Sequence, residues 1–194
     1  MIASSQSTRR YGQTEVPAVG TWEFDPSHTT VEFEGRHLMV SRIRGSFRRF
    51  SGRVQIAEAP DRSEVELTVE AASVESGFDD RDRHLRSADW LDVERYPLIR
   101  FAGSGARHVE GRRWQGGGML TIKDVERPID VEIEFEGGVD DPWGGQRIGA
   151  VVRACLSLKA FGLTWNMPLK AGGLVVGDEV SLTITIEAAR AQSG

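Results

Sequence analysis

In "EVELTVEAA", Val65, Leu67, Val69 and Ala71 alternate with Glu64, Glu66, Thr68 and Glu70. The same period of two runs through "PIDVEIEFEG", where Ile129, Val131, Ile133 and Phe135 take every second place, and through "VSLTITIEA" with Val180, Leu182, Ile184 and Ile186. Side chains alternate across a strand, so each segment carries one oily and one wet face. Strands buried in a parallel sheet would be apolar throughout. The pattern predicts an antiparallel sheet. Further candidates are "TWEFD", "TTVEFEGRH", "GSFRRFSGRVQIAEA", "PLIRFAGSG", "WQGGGMLTIKD" and "GAVVRACLSLK". Turn chemistry separates them at "DPS" (25–27), "GG" (137–138), "DDPWGG" (140–145) and "AGG" and "GD" near 172–178. The count comes to about eight or nine strands at the spacing of all-β folds.

Every strand must bury its apolar face, and no long amphipathic helix is present to cover it. Two sheets packed face to face, or one sheet closed into a barrel, satisfy that demand. A barrel of this size is either filled by its own side chains or encloses one ligand. The chain has 22 glycines, with "GGG" at 116–118 inside a strand candidate and Gly35, Gly45 and Gly52 at strand positions. Glycine within a strand marks a bend, a bulge or a close approach, which lets a sheet curl tightly. An open interior would be lined by Val31, Phe33, Phe47, Val69, Phe101, Ile122, Ile133 and Ile184, and would suit a hydrocarbon. Each buried methylene contributes roughly 0.8 kcal/mol. Barrel corners around a packed core remain the alternative.

One segment breaks the period. "RDRHLRSADWLDVERYP" (81–97) packs arginines, carboxylates and His84 together. Asp79 or Asp80 can cap a helix, Asp82 and Arg86 form an i,i+4 pair, and Ser87 or Asp89 can open a second short turn that Pro97 ends. His84, Asp82 and Arg81 have the ingredients of general acid/base chemistry, but no nucleophile stands at a readable spacing. The charges more naturally clamp a helical lid to a barrel rim, with Leu85 and Trp90 turned toward its mouth. His28, His37, His84 and His108 form no close ligand pair, so a metal site would need convergence from afar. His37 shares the inward face of Val31 and Phe33, either as a core residue or as a contact for a polar headgroup. Trp22, Trp114 and Trp165 line a cavity or pack the barrel ends.

A net charge of −5 disfavours nucleic acid, whose phosphates demand a basic surface. The single cysteine, Cys155, excludes an intrachain disulfide. No apolar run reaches membrane-spanning length. Residues 1–20 lack the apolar stretch of a secretory signal and are expected to be a disordered leader, with one domain over 21–190 and a cytoplasmic location.

The motifs "FDPSHTTVEFEGRH", "RGSFRRFSG", "RDRHLRSADWLDVERYP", "GMLTIKDVERPI", "AFGL" and "VGDEVSLTITIEA" follow one another as in the YceI-like family, which the chain resembles across about 21–188. The residues that carry the resemblance are Asp25, Pro26, His28, Phe33 and His37, then Gly45, Phe47, Phe50 and Gly52. Arg81, Asp82, His84, Leu85, Ser87, Asp89, Asp92, Tyr96 and Pro97 complete the set. Departures are Trp90 for a usual phenylalanine, Asp124 for a common glycine and Lys159 for a common arginine. The resemblance implies a single extended, antiparallel, eight-stranded, lipocalin-like β-barrel with a short helical segment at about 79–95. It also implies a tunnel that binds a long polyisoprenoid, such as a polyprenyl quinone or polyprenyl phosphate, without catalysis.

The expected function is therefore non-enzymatic binding, sequestration or transport of such a lipid, with no cofactor and no metal. The candidate contacts are the eight lining residues together with His37, Arg81, His84, Leu85, Trp90, Phe161 and Trp165. The rival readings are a lipid-modifying hydrolase or isomerase using His84 and Asp82, and a packed barrel without ligand. A homodimer is compatible with the sequence, but nothing in it marks an interface.

Overall fold

A computed structural model of the protein describes residues 7–38, 40–166 and 176–191. Its strands are β1 (Thr8–Tyr11), β2 (Thr14–Pro17), β3 (Gly20–Phe24), β4 (Thr30–His37), β5 (Ser41–Phe47), β6 (Phe50–Ile56) and β7 (Glu64–Glu70). They continue as β8 (Val74–Glu75), β9 (Leu98–Glu110), β10 (Arg113–Ile122), β11 (Val125–Asp140), β12 (Gln146–Ser157) and β13 (Val176–Arg190). The α-helix is α1 (Asp79–Arg86).

The order β3-β6-β7-β9-β10-β11-β12-β13 returns to β3, which closes an antiparallel barrel of eight strands. Two seams complete the ring. β12 pairs with β13 from Arg147↔Ala189 to Ser157↔Glu179, and β13 meets β3 at Ala188↔Phe24. The other edge of β13 continues onto β4, from Thr185↔Thr30 to Val176↔His37. β3 and β4 are thus two halves of one interrupted strand, and β5 with β6 and β7 with β8 follow suit.

Local chemistry explains the interruptions. In the "DPS" turn the Asp25 carboxylate accepts the Ser27 N–H at 2.9 Å and its carbonyl accepts the Thr29 N–H at 2.9 Å. Between β5 and β6, the Arg48 N–H donates to the Ser73 carbonyl (3.1 Å) and the Arg49 N–H to the Ser73 hydroxyl (3.0 Å). Close approach accounts for Gly45: the Phe33 ring of the facing strand lies over it, and any Cβ there would overlap that ring.

The N-terminal expectation fails over the described residues. Instead of a disordered leader, β1 and β2 form a hairpin whose Val16 is 3% exposed, because that side chain joins the cluster of Trp22, Phe24, Trp114, Phe135, Ile148 and Ala188. "GG" at 137–138 is no turn either. It lies inside β11 at a shift in register between Phe135 and Gly137, with Gly137 at φ +126°. "DDPWGG" does turn, closed by Asp141 N–H to Gly145 C=O at 2.7 Å. "AGG" lies outside the described residues.

Helix α1 ends at Arg86, and residues 87–97 continue as hydrogen-bonded turns. Neither Asp79 nor Asp80 caps it; the capping position is Phe78, with no side-chain bond. The Asp82–Arg86 pair is not formed. Arg86 donates instead to the carbonyls of Ala72 (2.8 Å) and Val74 (2.5 Å), and Asp82 turns to Ser76. Among the described residues no helix is long and apolar enough to cross a membrane.

Candidate functional site

The inward faces of the strands leave two compartments stacked along the barrel axis. The wider one, about 570 Å³, lies at the end carrying α1 and the β4–β5 turn. The narrower one, about 200 Å³, lies toward the β1–β2 hairpin. Leu67, Phe101, Val131, Val152 and Ile184 border both and form the constriction between them. This order follows from the strand pattern. Along β13, Val180 and Leu182 face the wide compartment, Ile184 the constriction, and Ile186 and Ala188 the narrow compartment. Volumes of this size favour an open interior over a barrel filled by its own side chains.

Residues with polar side chains, Arg36, His37, Asp80, Arg81 and His84 on β4 and α1, border the wide compartment, whose wall is nonetheless almost wholly apolar. Asp82 is 6% exposed and spent on the chain itself, accepting the Ser76 N–H at 2.8 Å and the Ser76 hydroxyl at 2.5 Å. Arg81 braces the same turn through Nε to the Ser76 hydroxyl (2.6 Å) and Nη2 to the Ser76 carbonyl (2.7 Å). A buried charge needs such pairing. His84 has no Asp82 partner. Its Nε2 stands 3.5 Å from Asp89, and its ring meets the Trp165 ring edge-on, with centroids 4.3 Å apart. The dyad required by the enzymatic alternative is therefore not assembled.

Thirteen of the fifteen residues expected at the site line the wide compartment: Val31, Phe33, His37, Phe47, Val69, Arg81, His84, Leu85, Trp90, Phe101, Ile122, Trp165 and Ile184. Ile133 lines the narrow one instead. Phe161 borders neither; at 2% exposure it packs in the cluster of Val74, Trp90, Leu91 and Leu163. Of the tryptophans with two readings, Trp165 lines the wide compartment and Trp114 the narrow one. Trp22 is fully buried and donates Nε1–H to the Ala18 carbonyl at 3.0 Å. Sequence reasoning missed Ala150, Val152, Ala154, Leu156 and Leu158, which alternate along "GAVVRACLSLK" and its next turn and all face inward. Their period of two was the available signal.

On the outside wall Arg147 gathers the acids that hold the β3–β4 break, with Nη1 2.6 Å from Asp25 and 3.2 Å from Glu187, and Nε 3.4 Å from Asp141. The Ser27 N–H, then Arg147 and His28, lower the Asp25 carboxyl to about 2. His28 also converges here, 3.1 Å from Asp25, so Asp25, His28 and Glu187 offer ligand atoms within 4.8 Å of one another. The guanidinium already neutralises these carboxylates, which leaves little field for a cation. At the β10–β11 turn Asp124 replaces a glycine without strain, because the left-handed residue is Lys123 (φ 58°). Asp124 accepts the Tyr96 hydroxyl at 3.1 Å. Lys159 contributes its main-chain N–H to Asp178 at 2.9 Å.

The YceI-like domain profile matches residues 22–188, nearly the whole barrel. A UPF0312 protein of Azotobacter vinelandii is 34% identical over 164 residues, covering 84% of this chain and 82% of that protein. Protein YceI of Salmonella newport is 33% identical over 161 residues, covering 82% and 81%. The chain belongs to the YceI-like family. Among solved structures, BcnA of Burkholderia cenocepacia superposes on this YceI-like chain with a TM-score of 0.70 at 20% identity, over 84% of this chain and 98% of that one. A polyisoprenoid binding domain from Saccharophagus degradans, implicated in plant cell wall breakdown, gives 0.64 at 16% identity, over 88% and 98%. At these identities the two structures attest the fold.

Proposed function

We propose that this protein binds the tail of a long-chain isoprenoid lipid, of polyprenyl quinone or polyprenyl phosphate type, and carries or sequesters it without chemical change. The observation that carries the reading is the pair of stacked compartments, oily along their length, the wider one bordered by Arg36, His37, Arg81 and His84 of β4 and α1. Such a shape takes a long tail inward and leaves its head near Arg36, His37, Arg81 and His84. Affinity then grows with buried length, at roughly 0.8 kcal/mol per methylene, less the cost of ordering the tail. The polyisoprenoid binding named for the Saccharophagus degradans structure supports the same ligand class. The spending of Asp82 on Ser76 supports a binding role over catalysis.

The test is native mass spectrometry of protein purified without delipidation, followed by uptake of added polyprenyl quinone. A co-purifying isoprenoid, or stoichiometric uptake, is the expected result. A clean apo mass that accepts no added lipid overturns the reading. The variant His84→Ala separates carriage from catalysis: a carrier keeps its ligand chemically intact with or without the imidazole, whereas wild-type turnover abolished by the substitution would establish an enzyme.

A further inference from the structure

We propose that the β1–β2 hairpin is an end stop: it closes the barrel opposite the wide compartment and sets how long a tail the tunnel accepts, with Val16 the side chain that the tail's terminus meets. The inference rests on the lipid-binding reading above and adds a determinant of ligand length to it.

The hairpin is a separate two-stranded sheet, not a rung of the barrel, and it precedes the family match that begins at residue 22. It is fixed to the rim at three separated places. Ser7 Oγ lies 2.8 Å from the Val139 carbonyl and 2.6 Å from Asp140 Oδ1, at the end of β11. Arg9 Nη2 donates to the carbonyls of Ala57 (3.0 Å) and Glu58 (2.6 Å), between β6 and β7. Thr14 Oγ1 is 3.3 Å from His108 Nε2 on β9. These points belong to strands spread around the ring, so the hairpin spans the opening and does not extend one edge. The barrel makes room for it: a Cβ at Gly138 would stand 2.7 Å from Thr8 Cγ2.

On its inner side the hairpin presents Val16, Pro17 and the stem of Arg9 to the narrow compartment, where they meet Phe24, Phe135 and Ile148. A tail entering from the wide end passes the constriction and then reaches this floor. From Val176 to Ala188 the strand rise gives ~40 Å along β13, or ~30 Å along the axis at usual barrel tilts. That span is finite because the hairpin is there. Without it, a longer tail could run on into solvent.

The experiment measures dissociation constants for two ladders of probes, polyprenyl alcohols rising by one isoprene unit and unbranched alkyl alcohols rising by one methylene pair. Three proteins are compared: the full chain, a variant lacking residues 1–17, and Val16→Phe in the intact hairpin, with circular dichroism to verify folding. In the full chain, binding tightens about fourfold per added methylene and then levels once the tail meets the floor. Val16→Phe moves that limit shorter by about one isoprene unit, and the truncated variant moves it longer. A limit at the same length in the full chain and Val16→Phe overturns the stop, and that comparison decides the matter if the truncated chain does not fold. Uptake of the alkyl ladder with rejection of every polyprenyl alcohol overturns the isoprenoid reading alone, since the alkyl ladder still reports the floor.

Discussion

Ala154→Phe distinguishes an open barrel from a full one. Ala154 sits on β12 opposite Leu182 and faces the wide compartment, while Cys155 beside it is exposed on the outer surface. In a close-packed interior, inserting a ring forces neighbours off their rotamers and costs about 1–3 kcal/mol. Here the ring enters a space of about 570 Å³ and buries fresh apolar surface, so stability is retained or rises slightly. The ligand bears the loss. A phenyl ring displaces about one isoprene unit, and four or five carbons at roughly 0.8 kcal/mol each amount to ~3–4 kcal/mol, a weakening of two to three orders of magnitude. Urea unfolding gives the first quantity, and titration with a polyprenyl alcohol gives the second. Cys155→Ala on the outer face changes neither. A destabilised Ala154→Phe protein that still binds lipid at full strength would refute the open-compartment reasoning.

Asp25 has a folded pKa of about 2 against an ordinary 3.8, so its contribution, up to about 2 kcal/mol, is present above pH 4 and lost as pH falls toward 2. Asp25→Asn should flatten the stability curve in that window, as read by chemical unfolding at stepped pH. Gly45→Ala sets a methyl against the Phe33 ring and the Glu75 carbonyl, with an expected loss of about 1–3 kcal/mol in a denaturant titration. Asp82→Ala removes the acceptor of the Ser76 N–H and hydroxyl, costing about 2–3 kcal/mol locally. It should speed amide exchange over 76–86 and lipid release, while leaving lipid uptake intact.

The barrel was readable because its determinant is local. Val65, Leu67 and Val69, or Val180, Leu182 and Ile184, declare the inner face by alternation alone. What escaped notice depends on partners far along the chain. "TRRYGQTEVP" carries few apolar residues, and its hairpin is secured by Ser7 and Val139, 132 positions apart. Asp82 has the look of surface charge, yet it is buried because the turn at Ser76 folds back onto it with two donors. The Arg147 cluster likewise draws on β3, β12 and β13, which meet only when the ring closes. The alternation of Ala150, Val152, Ala154 and Leu156 along β12 is equally local, but small alanines at two of the four places weaken its apolar signal.

The five side chains shared by the two compartments have a consequence for the stiffness of what can lie across them. Three of the five, Val131, Val152 and Ile184, are branched at Cβ and turn aside with difficulty. A rigid fused-ring probe of the same greasiness is therefore expected to reach no deeper than the wide compartment, whereas a slender, jointed one should occupy both, a difference that competition against a polyprenyl alcohol would read. Discrimination of that kind would turn on cross-section and suppleness and need no hydrogen bond.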